Sequence, residues 1–486
     1  MNQEIRNLTP KNVWSNFCDL NAVPRPSKKE EKVVAFIKQF GESLQLKTIV
    51  DEVGNVIIKK PASKGMEARL PIVLQSHLDM VHQKNKDTDF DFLTQGIEMK
   101  VEGDWVKAKG TTLGADNGIG VSAIMAILAS NDIAHPPIEA LFTIDEETGM
   151  TGAFALKGGL LNGKILLNLD TEEDNELTIG CAGGIDVTAN GNYATSSTKS
   201  SIFFQIKLSG LTGGHSGIDI HKGRANVNKL MNRLLWDISK NIHFELASIH
   251  GGSLRNAIPR ESIAVIGIQS ADESILKKSI NEYQHIFKQE YKTTDPNLDL
   301  HLTTIEKVET VADIEFVKQF LNAVYSCHNG IYRMSPDIDS LVQTSNNIAR
   351  IELENGLYSV QCLTRSSVQS EKIDLANSIK ASFEQIGASV TFKGDYPGWI
   401  PNPHAAIVTI MSELYEKMHH SKAHVNACHA GLECGILGQN YPDMQMISFG
   451  PNIYGAHSPD ERVQISSVQK FWAFLLETLK QIPEKG

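Results

Sequence analysis

The sequence predicts an α/β domain interrupted by a large α+β insertion, and three observations carry that reading. Short apolar runs alternate with helical patterns through the first third of the chain. A different rhythm, βαββαβ, runs from Ser201 to Ile305. Helix-and-sheet patterning then returns after Pro397-Gly398-Trp399. A length of 486 residues suits two or three domains.

In the first third, Leu70-Pro-Ile-Val-Leu-Gln-Ser76 reads as a strand and Gly118 to Ser130 as a helix. Pro137 to Ile144 and Lys164 to Leu169 read as further strands of a buried sheet. The glycine-rich Gly180-Cys-Ala-Gly-Gly184 suits a boundary. Beyond it, strands over Ile202–Leu208, Phe244–Ser248, Glu261–Gln269 and Leu298–Ile305 alternate with helices over Asn226–Ser239 and Glu273–Tyr291, the order of a ferredoxin-like unit. A helix over Ile314–Ser326 opens a second, related half. Its strands Ile348–Glu352 and Leu357–Leu363 are joined by the hairpin signal Glu354-Asn355-Gly356. A helix (Glu371–Ile386) and a strand (Ala388–Lys393) complete it, and Met444–Phe449 reads as a buried strand beyond the exit. The boundaries expected are residues 1–187 and 398–486 for a discontinuous outer domain and 188–397 for the insertion.

Charge and composition narrow the function. Lys and Arg total 46 against 57 Asp and Glu, a formal net charge of −11, which argues against nucleic acid or an anionic membrane as partner. Met1 to Pro10 lacks the apolar core of a signal peptide. The longest nearly apolar run, Ile119 to Ala129, is shorter than the ~20 residues that span a bilayer. Six cysteines are scattered with no CxxC pair, so reduced thiols and a cytoplasmic location are expected.

Five acid- or histidine-bearing points fall at or just after strand or turn ends: His77-Leu-Asp79, Gly114-Ala-Asp-Asn-Gly118, Asp145-Glu-Glu-Thr-Gly149, Leu169-Asp170 and His457-Ser458. Ligands of open α/β sheets bind beyond the carboxyl ends of the strands, so such points can converge. Two histidines and three carboxylates suit a pair of zinc-type ions. Taken singly, each has a plainer reading: a hydrogen-bonded strand end, a helix cap at Asp116, a solvated helix start at Glu146-Glu147, an acidic loop after Asp170.

Together with Gly213-Gly-His-Ser-Gly217, and in this order, the five motifs resemble the di-zinc metallopeptidase family that includes aminoacylases, carnosinases and glutamate carboxypeptidases. The resemblance extends over essentially the whole chain. The strings Gly213–His221, Asn256-Ala-Ile-Pro-Arg260 and His429–Gly435 are most similar to the dipeptidases of that family that cleave aminoacyl-histidine, β-Ala-His included. The resemblance implies a catalytic domain interrupted by a doubled, ferredoxin-like lid domain. It implies two divalent ions, zinc before manganese or cobalt, with His77 and Asp170 on one, Glu147 and His457 on the other, and Asp116 bridging. Asp79 would orient His77, and Glu146 would be the general base for a metal-bridging hydroxide that attacks a small dipeptide.

His215 resembles the lid histidine that stabilises the tetrahedral oxyanion, and whether it serves its own chain or the neighbour in a homodimer is left open. Asn256 and Arg365 resemble substrate-holding lid residues. Gly431 and Glu433 are further substrate-binding candidates, because His429-Ala-Gly-Leu-Glu433 replaces the glycine-rich carboxylate loop of many relatives. Glu433 suits a substrate amine or imidazole, or equally a buried structural acid. The rival readings are a deacylase or carboxypeptidase on the same scaffold, and a silent binding protein.

Overall fold

The computed structural model describes residues 2–485 and divides into two compact units. The first comprises Met1–Gly180, Trp399–Ala427 and Leu432–Gly486; the second comprises Cys181–Gly398 and Cys428–Gly431.

The first unit is built on an eight-stranded sheet. At its heart Ile138–Thr143, Ile72–His77, Ile165–Asn168 and Gln445–Ser448 run parallel in that order. The first three of these strands are buried at every residue, which is why they read as short, mostly apolar runs without polar alternation. Antiparallel strands flank them, with Val56–Lys60 and then Lys47–Val50 on one side. The helix Ala115–Ala129 is apolar on nearly all sides and packs against Ile72–His77 and the helix Lys11–Leu20. Gly120 permits that approach, since a Cβ there would lie 2.5 Å from Ser76 Oγ and 2.7 Å from the Leu169 carbonyl. A small separate sheet pairs Met99–Glu102, Trp105–Ala108, Arg462–Gln464 and Ile453–Tyr454, so residues 455–461 form the tip of a hairpin.

The second unit is a doubled ferredoxin-like fold on one sheet. Its inner copy orders its strands Asp299–Ile305, Ile202–Ser209, Ser262–Ile268, Glu245–Gly251, that is 4-1-3-2 in chain order. The outer copy repeats that order with Ser389–Tyr396, Gly183–Asn192, Leu357–Ser366 and Val342–Glu354. The two copies join where Glu245–Gly251 pairs antiparallel with Val342–Glu354. The inner copy is therefore inserted between the first strand and the first helix, Ile314–Ser326, of the outer one. One apolar core, including Phe204, Leu230, Phe287, Phe320 and Phe383, underlies both.

The expected boundary at 187/188 falls inside the strand Gly183–Asn192. That strand belongs wholly to the second unit because it is hydrogen-bonded between Leu357–Ser366 and Ser389–Tyr396. The hairpin at Asn355-Gly356 is the two-residue turn its sequence announces, with φ of 52° and 78°.

Candidate active site

The parallel strands of the first unit deliver side chains to one end of the sheet. His77 ends its strand; Glu146 and Glu147 follow Ile138–Thr143 on a short helix; Asp170 follows Ile165–Asn168; Asp116 lies at the start of the buried helix. His457 sits at the hairpin tip. His77 Nε2 is 3.1 Å from Asp116 Oδ1 and 3.4 Å from Asp170 Oδ1. His457 Nε2 is 2.8 Å from Glu147 Oε2 and 3.4 Å from Asp116 Oδ2. The five residues thus form two groups of three that could each hold a metal ion, His77–Asp116–Asp170 and Asp116–Glu147–His457, and that share Asp116 through its two different oxygens.

Asp79 is fully buried and holds the next layer. Its Oδ1 accepts from the Glu146 N–H at 3.0 Å and faces His77 Nδ1 at 3.4 Å. Its Oδ2 accepts from Ser27 Oγ at 2.8 Å and from the Glu147 N–H at 3.3 Å. His77 Nδ1 also meets the Asp79 carbonyl at 3.2 Å. Facing only acceptors, Nδ1 keeps its proton, and the Nε2 lone pair is left for a metal. Asn117 donates to Asp170 Oδ1 and, at 2.7 Å, to the Leu169 carbonyl, fixing that carboxylate. Asp145 and His457 have left-handed backbones, φ 52° and 65°, uncommon for non-glycine residues and clustered at functional sites.

The electrostatics are those of a cation site. Burial opposes a charge on His77, yet Asp170, Asp116 and Asp79 hold its pKa well above the ordinary value. Hydrogen bonds to Asp116 and Glu147 raise His457 to about 11. Three carboxylates drawing protons onto two imidazoles would draw divalent cations instead, and this nitrogen and oxygen donor set fits zinc-type ions. Burial pushes Glu146 well above the usual carboxylate range; His77 opposes that shift, while Asp170, Glu147 and Glu433 add to it.

Glu433, 1% exposed, begins the helix Glu433–Asn440. Its Oε2 accepts from Gln75 Nε2 and Thr143 Oγ1, each at 2.7 Å, while Oε1 has no partner among the described residues. Burial pushes its pKa up to about 7.

The remaining candidates lie in the second unit. His215 pairs with Ala257 in a short two-stranded sheet, and the Asn256 carbonyl accepts from the Ser216 N–H at 2.8 Å. His215 Nδ1 accepts from the N–H groups of Gly217 (3.2 Å) and Ile218 (3.0 Å), which puts the ring proton on Nε2. Arg365, 4% exposed, donates from Nη1 to Tyr396 Oη at 2.7 Å, and its buried Nε has no partner among the described residues. A Cβ on Gly217 would lie 2.1 Å from the His429 carbonyl and 3.2 Å from Arg365 Cδ, so these three positions are packed together. Burial, then Arg365, His215 and His221, lower His429 to about 3. Gly431 ends the segment Cys428–Gly431 of the same unit.

Three residues beside the metal-ligand groups were not singled out by the sequence. Glu172 is raised to about 9 by burial and by Asp116. Arg25 and Glu461, 1% and 2% exposed, grip the backbone that leads into Asp116. Of these only Glu172 carried a local signal, as part of an acidic loop.

A mixed sheet whose parallel centre carries paired histidine–carboxylate groups at its carboxyl end is the architecture of a metallopeptidase-type hydrolase. Residues 73–481 match the model of peptidase family M20/M25/M40, and the chain belongs to that family. It is 40% identical over 483 residues to the cytosol non-specific dipeptidase of Escherichia coli (strain K12), covering 99% of this chain and 100% of that one. The crystal structure of aminoacylhistidine dipeptidase from Vibrio alginolyticus is similar with a TM-score of 0.93 at 42% identity, covering 100% of this chain and 99% of that one. Aminopeptidase PepT from Bacillus cereus ATCC 10987, at 14% identity and a TM-score of 0.57 over 98% of this chain and 99% of that one, shares the fold.

Proposed function

We propose that this chain hydrolyses the peptide bond of small dipeptides with free termini, aminoacyl-histidine among them, in the cytosol. One observation carries the dinuclear part of the reading: the two oxygens of Asp116 face two different histidines. His77 and Asp170 would hold one divalent ion and Glu147 and His457 the other, with Asp116 between; zinc is the first candidate, and manganese and cobalt suit the same donors. Bound there, the pair supplies an acidified water and a Lewis acid for the scissile carbonyl.

The chain's own groups do the rest. Glu146 takes the proton of the attacking water and returns it to the departing amine. Its backbone N–H is tied to Asp79, which also orients His77, so base and ligand are placed by one carboxylate. The Nε2 proton of His215 is the donor for the developing oxyanion. Asn256 and Gly431 line the substrate. Arg365, with an unused buried Nε, receives the substrate carboxylate. Glu433, with one unused oxygen, receives the amine or imidazole.

The names of the two dipeptidases described above differ in breadth, one non-specific and one aminoacylhistidine. The test is therefore hydrolysis of β-Ala-His, Gly-His, Gly-Leu and N-acetyl-His before and after chelation and zinc restoration. Metal-dependent cleavage of the free dipeptides supports the reading, and the Gly-Leu rate sets its breadth. Metal-dependent cleavage of N-acetyl-His alone would replace it with a deacylase.

A further inference from the structure

The hairpin that carries His457 also carries Glu461, whose carboxylate turns away from the ligand groups and into the protein. It accepts from four consecutive backbone N–H groups: Oε2 from Leu113 (2.7 Å) and Gly114 (2.9 Å), and Oε1 from Ala115 (2.7 Å) and Asp116 (3.3 Å). The last of these is the N–H of Asp116 itself. Backbone donors at the start of a helix lack intrahelical partners, and both oxygens of the Glu461 carboxyl serve as their acceptors.

The opposite edge of the same segment is held by Arg25. Its Nη2 donates to the Gly114 carbonyl at 2.5 Å and to Asn21 Oδ1 at 3.0 Å. Its Nη1 donates to the carbonyls of Leu78 (3.0 Å) and Asp79 (3.1 Å). Gly114 is thus gripped through both its N–H and its C=O. At the other end, Glu461 is fixed to its own turn, its N–H donating to the Ser458 carbonyl at 3.1 Å. His457 and Asp116 are 341 residues apart in the chain, and the Glu461 carboxylate ties the segment of one to the backbone of the segment of the other.

We propose that Glu461 is a positioning residue: it sets the Asp116 carboxylate and keeps it in register with His457 across the two halves of the metal centre. This rests on the dinuclear reading above. Asp116 is the group shared by both halves, so a shift of its backbone disturbs both ions at once, whereas loss of an outer ligand disturbs one.

E461Q and E461D separate this role from bulk stability. In E461Q an amino group replaces one oxygen and opposes two of the four N–H donors. E461D keeps both acceptors but is one methylene short. Each variant and the wild type would be loaded with Co2+, and the metal bound per chain, the visible absorption spectrum, the melting temperature, kcat and KM measured. The expected result is an E461Q protein that melts cooperatively, with an altered Co2+ spectrum, Co2+ affinity and kcat each down about tenfold or more, and KM within about twofold of wild type. E461D should fall between. A wild-type spectrum and kcat in E461Q, or activity lost only in proportion to unfolded protein, would overturn the proposal. If E461Q yields no folded protein, E461D decides on the same readouts. Failure of the wild type itself to bind Co2+ would instead remove the dinuclear reading on which the proposal stands.

Discussion

Replacing Asp79 with Asn should damage the metal centre far more than the fold, and the hydrogen bonds show why. The amide can keep its oxygen where Oδ1 stands, still accepting from the Glu146 N–H at 3.0 Å and facing His77 Nδ1. Its amino group then replaces Oδ2, opposite Ser27 Oγ. That hydroxyl can turn, because the Met80 carbonyl already lies 3.2 Å away as an alternative acceptor. The one bond lost outright is the long one from the Glu147 N–H, at 3.3 Å. Stranding that donor costs about 1–2 kcal/mol. Part is offset because Asp79 sits among the buried carboxylates of Glu30 and Asp145, all within 4.8 Å, and removing its charge relieves their repulsion. The melting temperature should therefore fall by only about a few degrees.

His77, by contrast, loses its charged partner. The expected cost is about 10–100-fold in metal affinity and in kcat/KM. Differential scanning calorimetry, titration of Co2+ against a competing chelator, and β-Ala-His hydrolysis measure the three quantities. A variant with wild-type metal affinity and turnover, or one whose fold collapses before its metal affinity changes, would refute this account of Asp79.

Glu146→Gln should keep its full complement of metal and lose about 10²–10⁴-fold in kcat, measured beside metal analysis of the same sample. Gly217→Ala drives a methyl toward the His429 carbonyl and so displaces the turn that fixes His215; a cost of about 1–3 kcal/mol in stability of the second unit is expected, with reduced kcat and unchanged metal content. His429 is held neutral, its folded pKa near 3 against an ordinary 6.5, so the unfolded chain takes up the proton first. The stability it contributes is complete above about pH 6.5 and lost at roughly 1.4 kcal/mol per pH unit as pH falls toward 3. Denaturant unfolding of wild type and His429→Gln across that range should show a shallower acid slope in the variant.

The positions proposed to hold the metals were legible in the sequence because they rest on local rules. Each of His77, Glu147 and Asp170 ends or closely follows a short, fully buried strand, and a parallel sheet sends such ends to one side. The start of the second unit was not legible for the opposite reason. Gly183 and Gly184 look like a linker, but a Cβ on Gly184 would lie 2.6 Å from Tyr396 Oη. They are glycines because a neighbouring strand packs closely, and that neighbour lies more than two hundred residues away in the chain.

Glu461 illustrates the same limit within the site. In His457-Ser-Pro-Asp-Glu461 it reads as one more surface acid, since its partners are backbone N–H groups, which have no residue identity and leave no motif. Glu433 lies between these extremes. Gln75 and Thr143 are polar residues in fully buried strands, and a buried polar group requires a partner. Both donate to Glu433 Oε2, so the two interruptions, read together, point to an acceptor behind the sheet's carboxyl end without saying which residue provides it.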